Sequence, residues 1–96
     1  MLILKTLSIE TMHGYGIAQH IQVISAEVLT IEEGSLYPAL HRMEEAGWIK
    51  AEWIVKDTGR RARIYDLTAE GKKRLAAEES RWQAVTGAVD RVLRMA

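Results

Sequence analysis

The feature of this 96-residue chain that most restricts its fold is a region in which apolar and polar residues roughly alternate. Elsewhere in the chain the apolar residues recur at the spacing of a helix. Two segments rich in β-branched and aromatic residues, 48–55 and 60–67, stand on either side of the turn-forming run Asp57-Thr58-Gly59. Alternating segments joined by a short loop with glycine are typical of a β-hairpin. The chain is therefore predicted to be mainly α with one hairpin.

Three helical segments precede this hairpin, and one follows it. The first covers Met1 to Glu10, the second begins at Ile17, and the third is opened by Thr30 and stops at Gly47. Thr30 is followed three residues later by a glutamate, which is the spacing of a capping box with threonine as N-cap. Three helices, a hairpin and a last helix predict a winged helix-turn-helix, in which the hairpin is the wing.

The last helix follows Thr68 and has an apolar stripe. Its apolar residues have the heptad spacing of a coiled-coil seam: Leu75, Trp82, Val85, Val89 and Val92. A small domain cannot cover a stripe of this length by itself, so we expect a homodimer in which a second copy covers it. The chain thus divides into a winged helix-turn-helix, residues 1–67, and a dimerisation helix, residues 68–96.

The composition excludes several classes of function. The 13 basic and 13 acidic residues cancel, so DNA binding would require cations concentrated at one place. Cysteine is absent and the three histidines lack metal-ligand spacing, so we expect no metal, no cofactor, no catalytic residue and no enzyme activity. No apolar run is long enough for a membrane span or a signal-peptide core, which predicts a cytoplasmic protein without a membrane partner.

Four motifs within residues 13–71 give the chain a family resemblance. They are His13-Gly14-Tyr15-Gly16-Ile17, Gly34-Ser35-Leu36-Tyr37-Pro38-Ala39-Leu40, Glu44-Glu45-Ala46-Gly47-Trp48-Ile49 and Gly59-Arg60-Arg61-Ala62-Arg63-Ile64-Tyr65-Asp66-Leu67-Thr68. In this order they resemble the PadR family, and the last helix resembles that of its short-type members. The resemblance implies a transcriptional repressor that binds double-stranded DNA as a homodimer, at an inverted-repeat operator.

The resemblance also bears on the dimer and on a ligand. It implies that the first helix, through Leu4, helps to clasp the partner subunit, although family members have additional helical turns before the segment that corresponds to Met1. In multidrug-binding relatives an aromatic residue at the place of Trp82 stacks on flat molecules, which implies a small aromatic effector. The alternative is that Trp82 only seals the dimer core, and this simpler interpretation is favoured.

In helix-turn-helix proteins the second helix of the motif enters the major groove, and here that is the helix after Thr30. Its apolar residues are predicted to face the core: Leu36, Leu40 and Met43. The residues that then face outward are Ser35, Pro38, Ala39 and Arg42. Ser35 can donate to a phosphate or a base edge, and Arg42 can bond a guanine or a phosphate. Pro38 removes one backbone hydrogen bond, so we expect a kink or a loosened turn there.

Four further aromatic residues have either a contact or a packing role. The hydroxyl groups of Tyr15 and Tyr37 either reach a DNA phosphate or belong to rings that only pack on the protein. Trp48 and Trp53 are predicted to pack on the core as hairpin residues.

The wing concentrates positive charge. Lys56, Arg60 and Arg61 lie around its turn and are predicted to contact phosphates, whereas Arg63 is expected to be structural. The other interpretation of these cations is a solvated edge strand that resists aggregation. The alternative function is accordingly a winged helix that binds an acidic protein and not DNA.

Overall fold

The computed structural model describes residues 1–95, apart from the side chain of Glu33. These residues form four helices and three strands: α1 (Leu2–Ile9), β1 (Met12–His13), α2 (Gly14–Ile24), α3 (Glu33–Glu45), β2 (Ile49–Val55), β3 (Arg61–Leu67) and α4 (Ala69–Leu93). The strands form one antiparallel sheet in the order β1-β3-β2. The winged helix-turn-helix with a long last helix is therefore confirmed.

The wing is the hairpin of β2 and β3, whose register runs from Ile49 opposite Leu67 to Val55 opposite Arg61. At its tip the Gly59 N–H donates to the Lys56 carbonyl at 2.8 Å. Gly59 has a φ of +81°, in the left-handed region that only glycine adopts without strain. The predicted turn is thus present, and it closes the hairpin beside the basic residues.

The sheet has a third strand that the sequence did not predict. Met12 pairs with Tyr65 and His13 with Ile64, so β1 covers the outer edge of β3. A strand of two residues is too short to show alternation, which is why only a two-stranded hairpin was expected.

The second helix begins earlier than predicted, at Gly14 and not at Ile17. The His13 side chain supplies the cap, because its Nδ1 accepts a 2.9 Å hydrogen bond from the Gly16 N–H. The two glycines of this segment therefore lie in the first turn of the helix. The sequence analysis placed both before the start of the helix.

The predicted capping box at Thr30 is wrong. α3 begins at Glu33, and its N-cap is Glu32, whose backbone carbonyl accepts from the N–H groups of Ser35 and Leu36, each at 3.0 Å. Ile31, just before this point, is half-buried and packs against the core, so the chain turns into the helix only after it. α3 then continues through Pro38 to Glu45.

The core of the subunit lies between the first three helices and the sheet. Its fully buried side chains are Leu4, Ile17, Leu36 and Leu40. Leu36 and Leu40 confirm the predicted inner face of α3, and Met43 packs against the same cluster. Each such leucine or isoleucine contributes about 1.5–3 kcal/mol when it leaves water.

The last helix touches this core only with its first turns. Thr68 caps it as predicted, because Oγ1 accepts from the Gly71 N–H at 3.0 Å. Gly71 and Leu75 are its buried residues, and Arg74 lies 4.7 Å from the ring centre of the half-buried Trp48. Beyond these turns α4 extends away from the core, and the subunit is 60 Å long.

Candidate nucleic-acid interface

The outward face of α3 carries the residues predicted to read DNA. Ser35, Pro38 and Arg42 are all exposed, while Leu36 and Leu40 are turned inward. The outward position expected for Ala39 is wrong, because this residue is half-buried and packs against the core. Ser35, Pro38 and Arg42 follow one another at spacings of three and four residues, so they lie along one side of the helix. Among the described residues, the guanidinium of Arg42 has no acidic partner. It is therefore available to a phosphate or a base.

A groove of about 540 Å³ joins α3 to the wing and to the start of α2. Tyr15, Tyr37 and Lys56, three of the predicted DNA-binding residues, line it. Both tyrosines are about half exposed, Tyr15 at 56% and Tyr37 at 48%. The Tyr37 ring also lies so close to Gly14 that a Cβ there would be 2.9 Å from its Cε1. Tyr37 thus packs on the backbone of α2 and remains open to the groove.

The cations at the tip of the wing are exposed. Lys56 and Arg60 lie at the two ends of the turn, where the Lys56 N–H donates to the Arg60 carbonyl at 2.8 Å. Arg61 begins β3, and its guanidinium lies 5.0 Å from the centre of the Trp53 ring. Although the chain has no net charge, positive charge is concentrated beside α3. DNA binding by a chain of this composition requires such a concentration of cations.

Arg63 is exposed but bonded to another part of the protein, which fits the structural role expected of it. Its Nη2 donates to the Glu44 carboxylate of α3 at 2.9 Å, and its guanidinium lies 5.9 Å from the Tyr65 ring. Burial raises the pKa of Tyr65, and the Arg63 charge opposes that increase. Arg63 thus connects the wing to α3.

Trp53 is the residue that the sequence interpretation misplaced. It was expected to pack on the core, but 58% of it is exposed, and it lines the groove near the tip of the wing. The face of β2 that carries Ile49 and Ala51 leaves the core before it reaches Trp53. The burial pattern of a hairpin that projects beyond its domain cannot be read from alternation alone.

The sequence profile of the transcriptional regulator PadR-like family matches residues 3–77, which is most of the chain. The chain belongs to this family. The predicted assignment is confirmed, and with it the role of a DNA-binding transcriptional regulator. PadR family regulators are generally not enzymes.

Solved structures agree with this assignment. A PadR family transcription regulator from hypervirulent Clostridium difficile R20291 is 32% identical, with a TM-score of 0.81 over 96% of this chain and 94% of the other. The protein smu.1704 from Streptococcus mutans UA159 is 31% identical, with a TM-score of 0.85 over 98% and 84%. A transcriptional regulator from Clostridium thermocellum is 29% identical, with a TM-score of 0.86 over 94% and 87%. No curated protein sequence matches the chain.

The PadR-like chain carries an uncovered apolar stripe on α4. Trp82, Val85, Val89 and Val92 are 55%, 49%, 51% and 67% exposed. Leu2 of α1, which the sequence interpretation did not include, lines a cavity of about 310 Å³ together with Trp82. This cavity lies at one end of the stripe, where α1 meets α4.

Two of the residues predicted for the dimer interface lie elsewhere in the PadR-like subunit. Leu4 is completely buried and Leu75 is only 7% exposed, so both belong to the core of a single subunit. They have almost no surface left for a partner chain. The prediction of a dimer interface is thereby reduced to the exposed part of the stripe: Trp82, Val85, Val89 and Val92.

In residues 1–95 no helix combines the length and the apolar character that crossing a membrane requires. The same residues contain no group of three or more histidine and acidic side chains arranged to hold a metal ion.

Proposed function

We propose that this PadR-like regulator is a homodimeric, cytoplasmic repressor that binds an inverted-repeat operator. The observation that carries the proposal is the shared groove, in which Tyr37 of α3 and Lys56 of the wing line one surface. In this arrangement α3 enters the major groove, through Ser35, Pro38 and Arg42, while the wing contacts the neighbouring backbone. Two such units would read half-sites about 34–36 Å apart, one helical turn of DNA.

A salt titration tests DNA binding, with DNA from upstream of the protein's own gene. The triple variant Arg42→Ala, Arg60→Ala, Arg61→Ala removes three exposed cations from the proposed surface. Log affinity falls with log salt, and each lost phosphate contact should make this negative slope shallower by about 0.9. The control variant Arg91→Ala, Arg94→Ala removes cations from the far end of α4 and should bind like the parent chain. Binding with no salt dependence, or an unchanged affinity in the triple variant, would overturn the proposal in favour of an acidic protein partner.

The dimer is supported by the stripe on α4. Half-exposed valines and a tryptophan in heptad spacing are apolar surface that a partner helix would cover. Val85→Asp or Val89→Asp places a charge in that seam and should give a monomer by light scattering. Ser80→Asp, an exposed position on another side of the same helix, is the matched control and should remain dimeric. A dimeric mass in both seam variants would contradict the proposal.

The effector is proposed to be a small aromatic molecule that stacks on Trp82 beside the cavity shared with Leu2. It would relieve repression only if it binds one dimer state more tightly than the other. Titration with a flat aromatic dye should quench tryptophan fluorescence in the parent chain and in Trp53→Phe, but not in Trp82→Leu. Equal quenching in all three would leave Trp82 as a residue that seals the dimer.

A further inference from the structure

Trp53 is a large aromatic side chain of the wing that does not contribute to the core. It is 58% exposed, so its ring is open to the side chains beside it on the wing. These neighbours indicate what the ring does. Two guanidinium groups lie within 6 Å of its ring centre, Arg61 at 5.0 Å and Arg63 at 5.8 Å. Both distances are those of cation–π contacts.

The hairpin register produces this arrangement. Trp53 of β2 is directly opposite Arg63 of β3, and Arg61 lies two residues before Arg63 in β3, nearer the tip of the wing. Because side chains alternate between the faces of a strand, all three lie on one face of the wing. The contacts therefore follow from the sheet itself.

The two arginines differ in what else holds them. Arg63 has a hydrogen bond from its guanidinium to Glu44 of α3. Arg61 has no acidic partner among the described side chains, and the Trp53 ring is the contact that restrains its guanidinium. An arginine side chain loses much rotamer freedom when it is fixed on a ligand. A ring that orders it beforehand lowers that loss.

We propose that Trp53 is a positioning residue that orders Arg61 at the wing before DNA arrives. Arg63 is bonded to Glu44 of α3, and its guanidinium also contacts the Trp53 ring, so it holds that ring in place. The position of the Arg61 guanidinium is thereby fixed relative to α3, the helix proposed to enter the major groove. The proposal rests on the proposed function, because the benefit of an ordered Arg61 is a phosphate contact.

The ordering of Arg61 can be measured in the free protein, without DNA. In the parent chain with ¹⁵N-labelled arginine, the Arg61 Nε–Hε resonance should be shifted by the Trp53 ring. Trp53→Leu should remove this shift, and Trp53→Phe should retain part of it. The melting temperature should change little in either variant, because Trp53 is mostly exposed. An Arg61 resonance that Trp53→Leu does not move would overturn the positioning role, whatever the chain binds.

A double-mutant cycle with operator DNA tests the consequence. Trp53→Leu should weaken binding about two- to fivefold, because the ordering of Arg61 can contribute at most the strength of its one exposed cation–π contact. In the Arg61→Ala background the same substitution should have almost no effect, whereas in Arg60→Ala it should keep its full effect. Ile54→Ala, at a neighbouring exposed position on the opposite face of β2, is the control and should bind normally.

The two failures are distinguishable. If the parent chain does not bind DNA, the proposed function fails, while the resonance of Arg61 still decides whether Trp53 orders it. If the chain binds and Trp53→Leu weakens binding equally in the Arg61→Ala background, Trp53 contacts DNA by itself and the proposal is wrong. Unchanged affinity in Trp53→Leu would also overturn it.

Discussion

The guanidinium of Arg63 in the wing donates a 2.9 Å hydrogen bond to the carboxylate of Glu44 in α3. Nineteen positions separate the two residues in sequence, and this contact links the wing to α3, the two elements that we propose contact DNA. The side chains are 43% and 21% exposed, so solvent screens part of their attraction.

We expect Arg63 and Glu44 to be coupled in stability by about 0.5–1 kcal/mol, the upper part of the range for exposed pairs. The measurement is a double-mutant cycle of Arg63→Ala and Glu44→Ala by urea unfolding at one protein concentration. The control cycle combines Arg63→Ala with Glu45→Ala, because Glu45 pairs with His41 and not with the wing. Additive effects in the first cycle would show that the contact does not stabilise the wing.

Gly71→Ala should destabilise the protein by about 1–3 kcal/mol or more. A Cβ at Gly71 would overlap the Trp48 carbonyl oxygen and lie 2.6 Å from Cδ1 of Leu67, so α4 would have to move off the base of the wing. Urea unfolding measures the change.

Gly87→Ala is the matched control on the same helix. A Cβ there would meet only Nη1 of Arg91, at an ordinary 3.6 Å. Because alanine favours a helix over glycine, this variant should gain up to about 1 kcal/mol. Equal effects of the two substitutions would contradict the close approach at Gly71.

The inner face of α3, the hairpin of the wing and the N-cap of α4 could be predicted, because each depends on residues that are near one another in sequence. Thr68 caps through a hydrogen bond three residues away, and Leu36 and Leu40 face the core through the helix period. The start of α3 could not be predicted in the same way. A capping pattern at Thr30 competes with the burial of Ile31, and that burial depends on the folded core.

The same distinction applies to the candidate site: some of its features depend on local sequence, and others depend on tertiary packing. The exposed face of α3 and the cations of the wing follow from local periodicity. The position of Trp53 depends on how far the hairpin projects beyond the domain, and the burial of Leu4 depends on the packing of α1 against the sheet. Both are properties of three-dimensional contact, and neither the alternation that was used for Trp53 nor the family resemblance that was used for Leu4 contains them.

The stability of the protein should fall in acid partly because of Glu78. Hydrogen bonds from the Met1 ammonium group at 2.9 Å and from Arg74 at 2.8 Å hold the pKa of Glu78 below its ordinary value. A lowered pKa in the folded state stabilises at pH values above the ordinary value of 4.5, and the contribution is lost as pH falls through the folded pKa.

Thermal melts of Glu78→Gln from neutral to acidic pH check this expectation. The variant should melt below the parent chain at neutral pH, and the difference should shrink below pH 4.5. Glu79→Gln removes the neighbouring carboxylate, which lies 3.7 Å from Lys5 and is more exposed, and should show a smaller difference. A constant difference across the pH range would contradict the role of Glu78.

Thr68→Ala should cost about 1 kcal/mol or more, because one hydroxyl serves two elements. Oγ1 accepts from the Gly71 N–H at 3.0 Å and donates to the Gly47 carbonyl at 2.6 Å, which ties the start of α4 to the end of the α3 segment. Thr68→Ser retains both bonds and should restore most of the stability in urea unfolding. Thr86→Ala is the control, since that hydroxyl donates only to carbonyls within α4, and removing it should cost little. If Thr68→Ser is as unstable as Thr68→Ala, the methyl group and not the hydroxyl accounts for the effect.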